Sequence, residues 1–298
     1  MTGEGLGIAG EVSLAVAAKA TAENFPVALR VLPKSLRQHL TAYYGFARLT
    51  DDIGDEPLPG ITGSLRPEEE RATRIRLLDE LEADVKKIYD GCEGPTLPAI
   101  RALGETVKTT GIPFSELAGL IQANRQDQLV ARYDAYADLV RYCELSANPV
   151  GRAVLYIVGA ATDERIALSD KVCTALQLVE HWQDVVEDLG NGRVYLPQED
   201  LRAHGVTEAD LARPTANADV VSLLKFETER ATRLLDEGSP LAGTLKGFAR
   251  LAISGYIAGG RAALKAIRES GYDVLRATPR PGKAATLAAM ASCYVNGR

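Results

Sequence analysis

Along almost its whole length this chain spaces its apolar residues three and four apart, and the strict alternation of a half-buried strand is nearly absent. That property alone restricts the chain to helices packed on helices. Helix signals bound the segments. Asn24-Phe25-Pro26 places a proline in a first turn, and Ser35-Leu36-Arg37-Gln38 after Pro33 has the form of a capping box, from which a helix is expected to run to about Asp55. Further helices are expected over 68–90, 98–109, 113–131, 135–160, 165–189, 218–237 and 240–270. Glycine and proline separate them at Gly91, Gly94-Pro95, Gly111-Ile112-Pro113 and Ser239-Pro240. The segment 57–67, PLPGITGSLRP, reads as a loop, and Gly190-Asn191-Gly192 as an abrupt helix end. Pro149 removes one amide donor inside 135–160, so that helix is expected to kink or break at Asn148-Pro149.

Two of these helices carry an unusual polar stripe. In the first, Arg37, Thr41, Tyr44, Arg48, Asp51 and Asp55 share one face, opposite Leu36, Leu40, Tyr43 and Ala47. In the second, Gln177, His181, Asp184 and Asp188 share a face with Glu180 beside them, opposite Val172, Leu176, Val179 and Val186. With 40 acidic residues in the chain, chance supplies roughly five acidic pairs at this spacing, so one pair alone reads as a solvated helix face. Two pairs made only of aspartate, each beside apolar stretches and each with an arginine nearby (Arg48, Arg193), imply more. Facing carboxylates repel unless a cation sits between them. Magnesium fits, because it is bound through one or two carboxylates and completed by phosphate oxygens and water. With 3 histidines and dispersed cysteines, zinc is poorly supported. The pattern points to a metal-bridged diphosphate.

Composition sets the outer limits. The chain has 298 residues, 46% hydrophobic and 25% charged, enough for a large core. Without a low-complexity linker or repeat, one domain over 1–298 is expected, with 1–20 and 283–298 peripheral. A net charge of -6 argues against nucleic acid as a partner. Cys92, Cys143, Cys173 and Cys293 lack CxxC spacing and read as reduced thiols of a cytosolic protein. No signal peptide or bilayer-spanning run is evident, so membrane contact would be peripheral. The Gly-rich strand-to-helix turn of dinucleotide-binding folds is missing, and no NADPH-dependent reduction is expected.

The stretches TAYYGFARLTDDIGDE and LQLVEHWQDVVEDLGNGRVYLPQEDL, with ANRQDQLVARYDAYADLVRYCELSANPVG between them, resemble the squalene/phytoene synthase family of isoprenoid transferases. The resemblance runs from about Ala22 to Leu275. ENFPVALRVLP, SANPVG and HWQD look most like its HpnC-type branch, the hydroxysqualene synthases of bacterial hopanoid biosynthesis. It implies an all-α, single-domain isoprenoid-synthase-type bundle around a central apolar cavity, acting on farnesyl or presqualene diphosphate with Mg2+. Asp51, Asp55, Asp184 and Asp188 would then be metal ligands, with Asp52 and Glu180 as further candidates. An outward-facing surface carboxylate is the alternative for Asp52. Arg48 and Arg193 would contact the diphosphate, joined by Arg37 and Gln177, and for Arg48 the alternative is an ion pair within its own stripe. Tyr142, Tyr44 and Tyr195 are the aromatic candidates for handling a proton or facing a carbocation.

This chain also departs from the family. Glu180 stands where the family commonly has asparagine, and Gln183 where bifunctional members carry arginine. His181 beside them is a candidate to titrate near neutral pH, the alternative being a helix-face histidine that makes one hydrogen bond. Ser146-Ala147-Asn148 replaces Val-Ala-Gly and places polar groups at the expected bend, where a water could be held; a helix-packing kink with no chemical role is the alternative. The expected reaction is ionisation of presqualene diphosphate and capture by water to give hydroxysqualene. The alternatives are transfer of a shorter prenyl group to an aromatic acceptor such as a carbazole, and a catalytically inactive helical interaction module.

Overall fold

The computed structural model describes residues 33–58, 63, 65–91 and 94–280. The Asn24-Phe25-Pro26 helix start, Cys92, Cys293 and the termini 1–20 and 283–298 lie outside the described residues, as does part of 57–67. The helices are α1 (Lys34–Gly54), α2 (Pro67–Asp90), α3 (Pro98–Thr110), α4 (Phe114–Asp127), α5 (Tyr136–Ser146), α6 (Asn148–Ile157), α7 (Asp163–Gln183), α8 (Val185–Gly190), α9 (Gln198–Ala203), α10 (Glu208–Leu211), α11 (Ala218–Gly238), α12 (Leu241–Thr244) and α13 (Gly247–Glu269). Apart from an isolated bridge between Arg132 and Val194, no strand occurs among the described residues. The expected all-α class is what the chain adopts. None of the described helices is long and apolar enough to cross a membrane.

Two compact units divide the chain. The first comprises residues up to Leu129 together with Arg152–Ala160, and the second Val130–Gly151 and Ala161 onward. In the first, Phe46, Leu49 and Ile53 of α1 are fully buried with Leu77, Leu78 and Leu81 of α2, Ile100 and Leu103 of α3, and Leu117 and Ile121 of α4. Burying such a side chain contributes about 1.5–3 kcal/mol, so this cluster fixes how α1 is rotated. Leu36, Leu40 and Ala47 pack on its edge as expected. The stripe Arg37, Thr41, Tyr44, Arg48, Asp51 and Asp55 is exposed or half-buried, turned away from the core. Arg74 holds the end of α1, donating to the carbonyls of Ile53 at 2.8 Å and Glu56 at 3.0 Å, while Glu70 neutralises it at 2.7 Å. A buried guanidinium thus satisfies carbonyls that the helix end leaves open.

In the second unit α7 packs against α5, α11 and α13. Glycines permit the closest approaches. A methyl group on Gly238 would lie 2.8 Å from the Leu168 carbonyl oxygen and 2.9 Å from the Val172 amide nitrogen, so α11 meets the backbone of α7 directly. The same unit buries Glu227 on α11 completely. Burial pushes its carboxyl up to about 8; Arg230 opposes the shift, and Asp200 and Glu199 reinforce it. At neutral pH Arg230 therefore meets a protonated Glu227 at 3.4 Å and pairs electrostatically with Asp200 at 2.9 Å. Because the folded state holds this proton to a higher pH than the unfolded chain, stability from this group falls as pH rises from about 4.5 to about 8. Glu227→Gln is expected to flatten that decline, and comparing melting temperatures of both proteins at pH 5 and pH 8 checks it. A parallel decline in the variant would remove Glu227 as its source.

Several local expectations are corrected. The Ser35–Gln38 capping box does not form, because α1 starts at Lys34 with Pro33 as its N-cap and no side chain caps it. The segment 113–131 stops being helical at Asp127. The expected break in 135–160 falls at Ala147, between α5 and α6. Unexpected breaks occur at Asp184 and, within 240–270, at Leu245-Lys246. The break at Asp184 turns Val186 out of the apolar side, leaving it 49% exposed. Cys143 and Cys173 are free thiols, as the spacing implied.

Candidate active site

The first carboxylate cluster is built at the end of α1. Asp55 is the C-cap residue, and its N–H donates to Asp51 O at 2.8 Å, which keeps the two aspartates one turn apart. Asn124 of α4 donates to Asp51 Oδ1 at 3.3 Å and is fixed by its own bond to Leu120 O at 3.1 Å. Gln128 donates to the carbonyls of Gly54 and Asn124, both at 3.1 Å. Gly54 is required there, since a methyl group on it would overlap the Asn124 amide. Asp52, for which an outward-facing surface carboxylate was the alternative, is buried and pairs with Arg48 Nε at 2.7 Å. Arg48 also reaches Glu56 at 3.2 Å, so its partners are at i+4 and i+8.

Desolvation raises the Asp51 carboxyl to about 6; Asp55 and Asp52 add to the shift, and Asn124 and Arg48 oppose it. Asp51 is exposed along one edge, so the shift reflects protein packed around the carboxylate at longer range and not a sealed pocket. Arg37 and Tyr44 lie on the same face of α1, half-buried.

In the second unit the helix is interrupted at one residue. Asp184 has φ -103° and ψ 20°, ending α7 and starting α8, and its carboxylate makes no capping bond. The ladder nevertheless continues through it. Asp184 N–H donates to Glu180 O at 3.0 Å and Asp188 N–H to Asp184 O at 2.8 Å, so the pair keeps helical spacing. Desolvation raises Asp188 to about 7, with Asp184, Glu187 and Glu180 adding and Arg193 opposing. Asp184 and Glu180 are raised as well, by desolvation first and by neighbouring carboxylates second. Gly192, with φ 77°, supplies the left-handed turn that brings Arg193 back, and Arg193 N–H donates to Asp188 O at 2.8 Å.

An aromatic floor lies beside these groups. The His181 ring stacks on Tyr195 with centroids 3.7 Å apart, and Tyr142 packs 5.8 Å from Tyr195 and 5.5 Å from Tyr133. His181 is not the neutral-pH titrating group its position suggested. Burial, assisted by Arg193, pushes it down to about 3, so it stays neutral, and its 4.0 Å contact with Asp188 is no ion pair. Gln177 Nε2 lies 3.3 Å from His181 Nε2.

Leu176, Val179 and Ala263 form the apolar wall of a cavity of about 330 Å³, and Glu180, Gln183, Asp184, Thr278 and Arg280 its polar rim. Gln183 donates to the Pro279 carbonyl, placing Arg280 on that rim, where its charge opposes the upward shift of Asp184.

Arg132 clamps the Gly192 turn, donating to Gly192 O at 2.5 Å and gripping Glu208 at 2.6 and 2.9 Å. Arg132→Met should therefore raise KM for the substrate about tenfold by loosening the turn that carries Arg193 and Tyr195, with a smaller change in kcat. Unaltered steady-state constants would show that the turn holds its shape without the clamp.

Which residues could hold a metal follows from this chemistry. Among the described residues no three acidic, histidine or cysteine side chains converge into a ready cage. Each cluster instead offers two carboxylates one turn apart, and Asp51 and Asp188 are raised by desolvation first and by neighbouring carboxylates after it. That donor set suits a hard divalent cation whose remaining ligands are water and phosphate.

The fold is that of the helical isoprenoid synthases, and comparisons with known proteins agree. A crystal structure of squalene synthase HpnC from Alicyclobacillus acidocaldarius superposes with a TM-score of 0.77 and 37% identity, covering 88% of this chain and 95% of that one. A hydroxysqualene synthase of Rhodopseudomonas palustris is 33% identical over 227 residues, 76% of this chain and 72% of the relative. A presqualene diphosphate synthase of the same organism is 32% identical over 215 residues, 71% of each. The family model for squalene/phytoene synthase matches residues 18–284. The chain belongs to the squalene/phytoene synthase family and is a prenyl-diphosphate-dependent synthase. Members of this family bind the diphosphate of their substrate with divalent metal.

Proposed function

We propose that this chain converts presqualene diphosphate to hydroxysqualene with magnesium, using Asp51, Asp55, Asp184 and Asp188 as metal ligands. The observation that carries the reading is the cavity on which Asp184, Glu180 and Arg280 form a charged rim above Leu176, Val179 and Ala263. Such a cavity suits a ligand with an anionic head and a hydrocarbon body. Similarity to hydroxysqualene synthases over three quarters of the chain supports the choice of reaction. The family match spans both compact units, which supports reading them as one functional domain.

Bound magnesium would neutralise charge developing on the departing diphosphate. The protein's own groups do the rest. Arg48 and Arg193, with Arg37 and Gln177, orient the diphosphate, and Asp52 holds Arg48 in place. Tyr142, Tyr195 and neutral His181 give the carbocation an aromatic surface that carries no competing positive charge. Tyr44 is assigned the same task on the α1 face. Bulk water would quench cations indiscriminately, so the reaction requires the hydrocarbon to be held against the apolar wall of Leu176, Val179 and Ala263.

The test is product analysis by gas chromatography and mass spectrometry after incubating the purified protein and magnesium with presqualene diphosphate, and in parallel with farnesyl diphosphate. Hydroxysqualene is the expected product of the first. Inertness toward presqualene diphosphate would overturn the reading and direct attention to shorter prenyl donors with an aromatic acceptor.

A further inference from the structure

Asn148 stands at the break between α5 and α6 with 3% of its surface exposed, and its Oδ1 accepts a hydrogen bond from Thr174 Oγ1 at 3.0 Å. Thr174 belongs to the face already described. Positions 174, 177, 181 and 184 step by three, four and three along α7, so Thr174 extends the row of Gln177, His181 and Asp184. On α5, Ser146 follows Tyr142 by four residues and shares its face. Its hydroxyl oxygen is buried and has no hydrogen-bond partner among the described residues. A buried hydroxyl left unpaired costs about 1–3 kcal/mol, and in native proteins such a group is usually answered by a water or a ligand.

We propose that Ser146 and Asn148, with Thr174 holding Asn148, seat the single water molecule that ends the reaction as an alcohol. The inference rests on the proposed conversion of presqualene diphosphate to hydroxysqualene. With Oδ1 engaged by Thr174, Asn148 has its Nδ2 donors left for the water oxygen, while Ser146 Oγ accepts one water proton. One oxygen lone pair then remains for the cation. It forms the new C–O bond, and the oxonium's excess proton leaves through Ser146 to solvent water. Thr174 precedes Asp184 by ten residues on the α7 row, about 15 Å of helix. The water is thus seated away from the leaving diphosphate and on the Tyr142 face of α5, where the aromatic surface is proposed to meet the cation.

The experiment is product analysis from presqualene diphosphate and magnesium in ¹⁸O-labelled water, for the wild type, Ser146→Ala, Thr174→Val and Thr174→Ser. Labelled alcohol is expected from the wild type. Ser146→Ala and Thr174→Val are expected to lower the ratio of alcohol to hydrocarbon products at least fivefold, and Thr174→Ser to restore it. That ratio reads the fate of the cation and is independent of overall rate. Alcohol in wild-type proportion from both damaged variants would overturn the water site and leave the proposed function standing. Loss of all consumption with helical content retained would also overturn it, because a water-seating pair acts after ionisation. A wild type that forms no alcohol would overturn the functional reading itself, and this inference with it.

Discussion

Asparagine in place of Asp184 is expected to lower turnover of presqualene diphosphate by about a thousandfold or more, equivalent to about 4 kcal/mol of transition-state stabilisation. The substitution keeps the shape of the side chain and removes its charge. Asp184 makes no capping bond at the start of α8, so no structural hydrogen bond is lost with the carboxylate. Its neighbours Glu180 and Glu187 repel it, which means that the neutral variant should fold at least as stably as the wild type. A site that loses activity while keeping or gaining stability is the pattern expected where function has been retained at a cost to the fold. Circular dichroism should be unchanged, and magnesium-dependent binding of pyrophosphate, measured by calorimetry, should disappear. Near-normal turnover would remove Asp184 from the metal site. The same substitution at Asp51 should behave alike, with Asn124 then facing an amide where it now donates to a carboxylate.

The largest effect on stability is expected from Gly238→Ala. The added methyl group would stand 2.8 Å from the Leu168 carbonyl oxygen and 2.9 Å from the Val172 amide nitrogen. Backbone atoms of a packed helix cannot rotate aside as a side-chain end can, so α11 and α7 must separate. Forced overpacking of this kind costs about 3 kcal/mol, or roughly 6–12 °C in melting temperature for a unit of this size. Gly45 provides the control. It lies inside α1 with nothing within 4 Å of the position a methyl group would take, and alanine there should stabilise, by about 0.5–1 kcal/mol. Equal melting temperatures for the two variants would refute the role assigned to the α11–α7 approach.

The sequence made the helices legible because burial repeats with their period. Tyr43, Phe46, Leu49 and Ile53 could not face one core in any other conformation. Interruptions were less legible. Only one residue departs from helical geometry at Asp184, and the hydrogen bonds on either side persist, so the apolar period is scarcely disturbed. The aspartate pairs were visible because both members of each lie on one element. Asn124, Gln128, Arg132 and Arg280 were not, since each reaches its site from a distant segment and carries no local spacing signal. Asp52 shows the limit of face assignment, for Arg48 reaches back across the stripe and neutralises a carboxylate that periodicity alone would leave outside.

The pairing of residues 131–134 with 194–199 has a consequence for how the molecule comes into being. Val194 N–H donates to Ala131 O and Gln198 N–H to Tyr133 O, and Arg132 meets Gly192 across 60 positions of chain. Single helices form within about a microsecond, whereas closing so wide a span carries an entropic penalty that must be met before any contact repays it. A newly synthesised chain will therefore hold most of its helical content before it can react, and regained activity after dilution from denaturant should lag behind regained ellipticity.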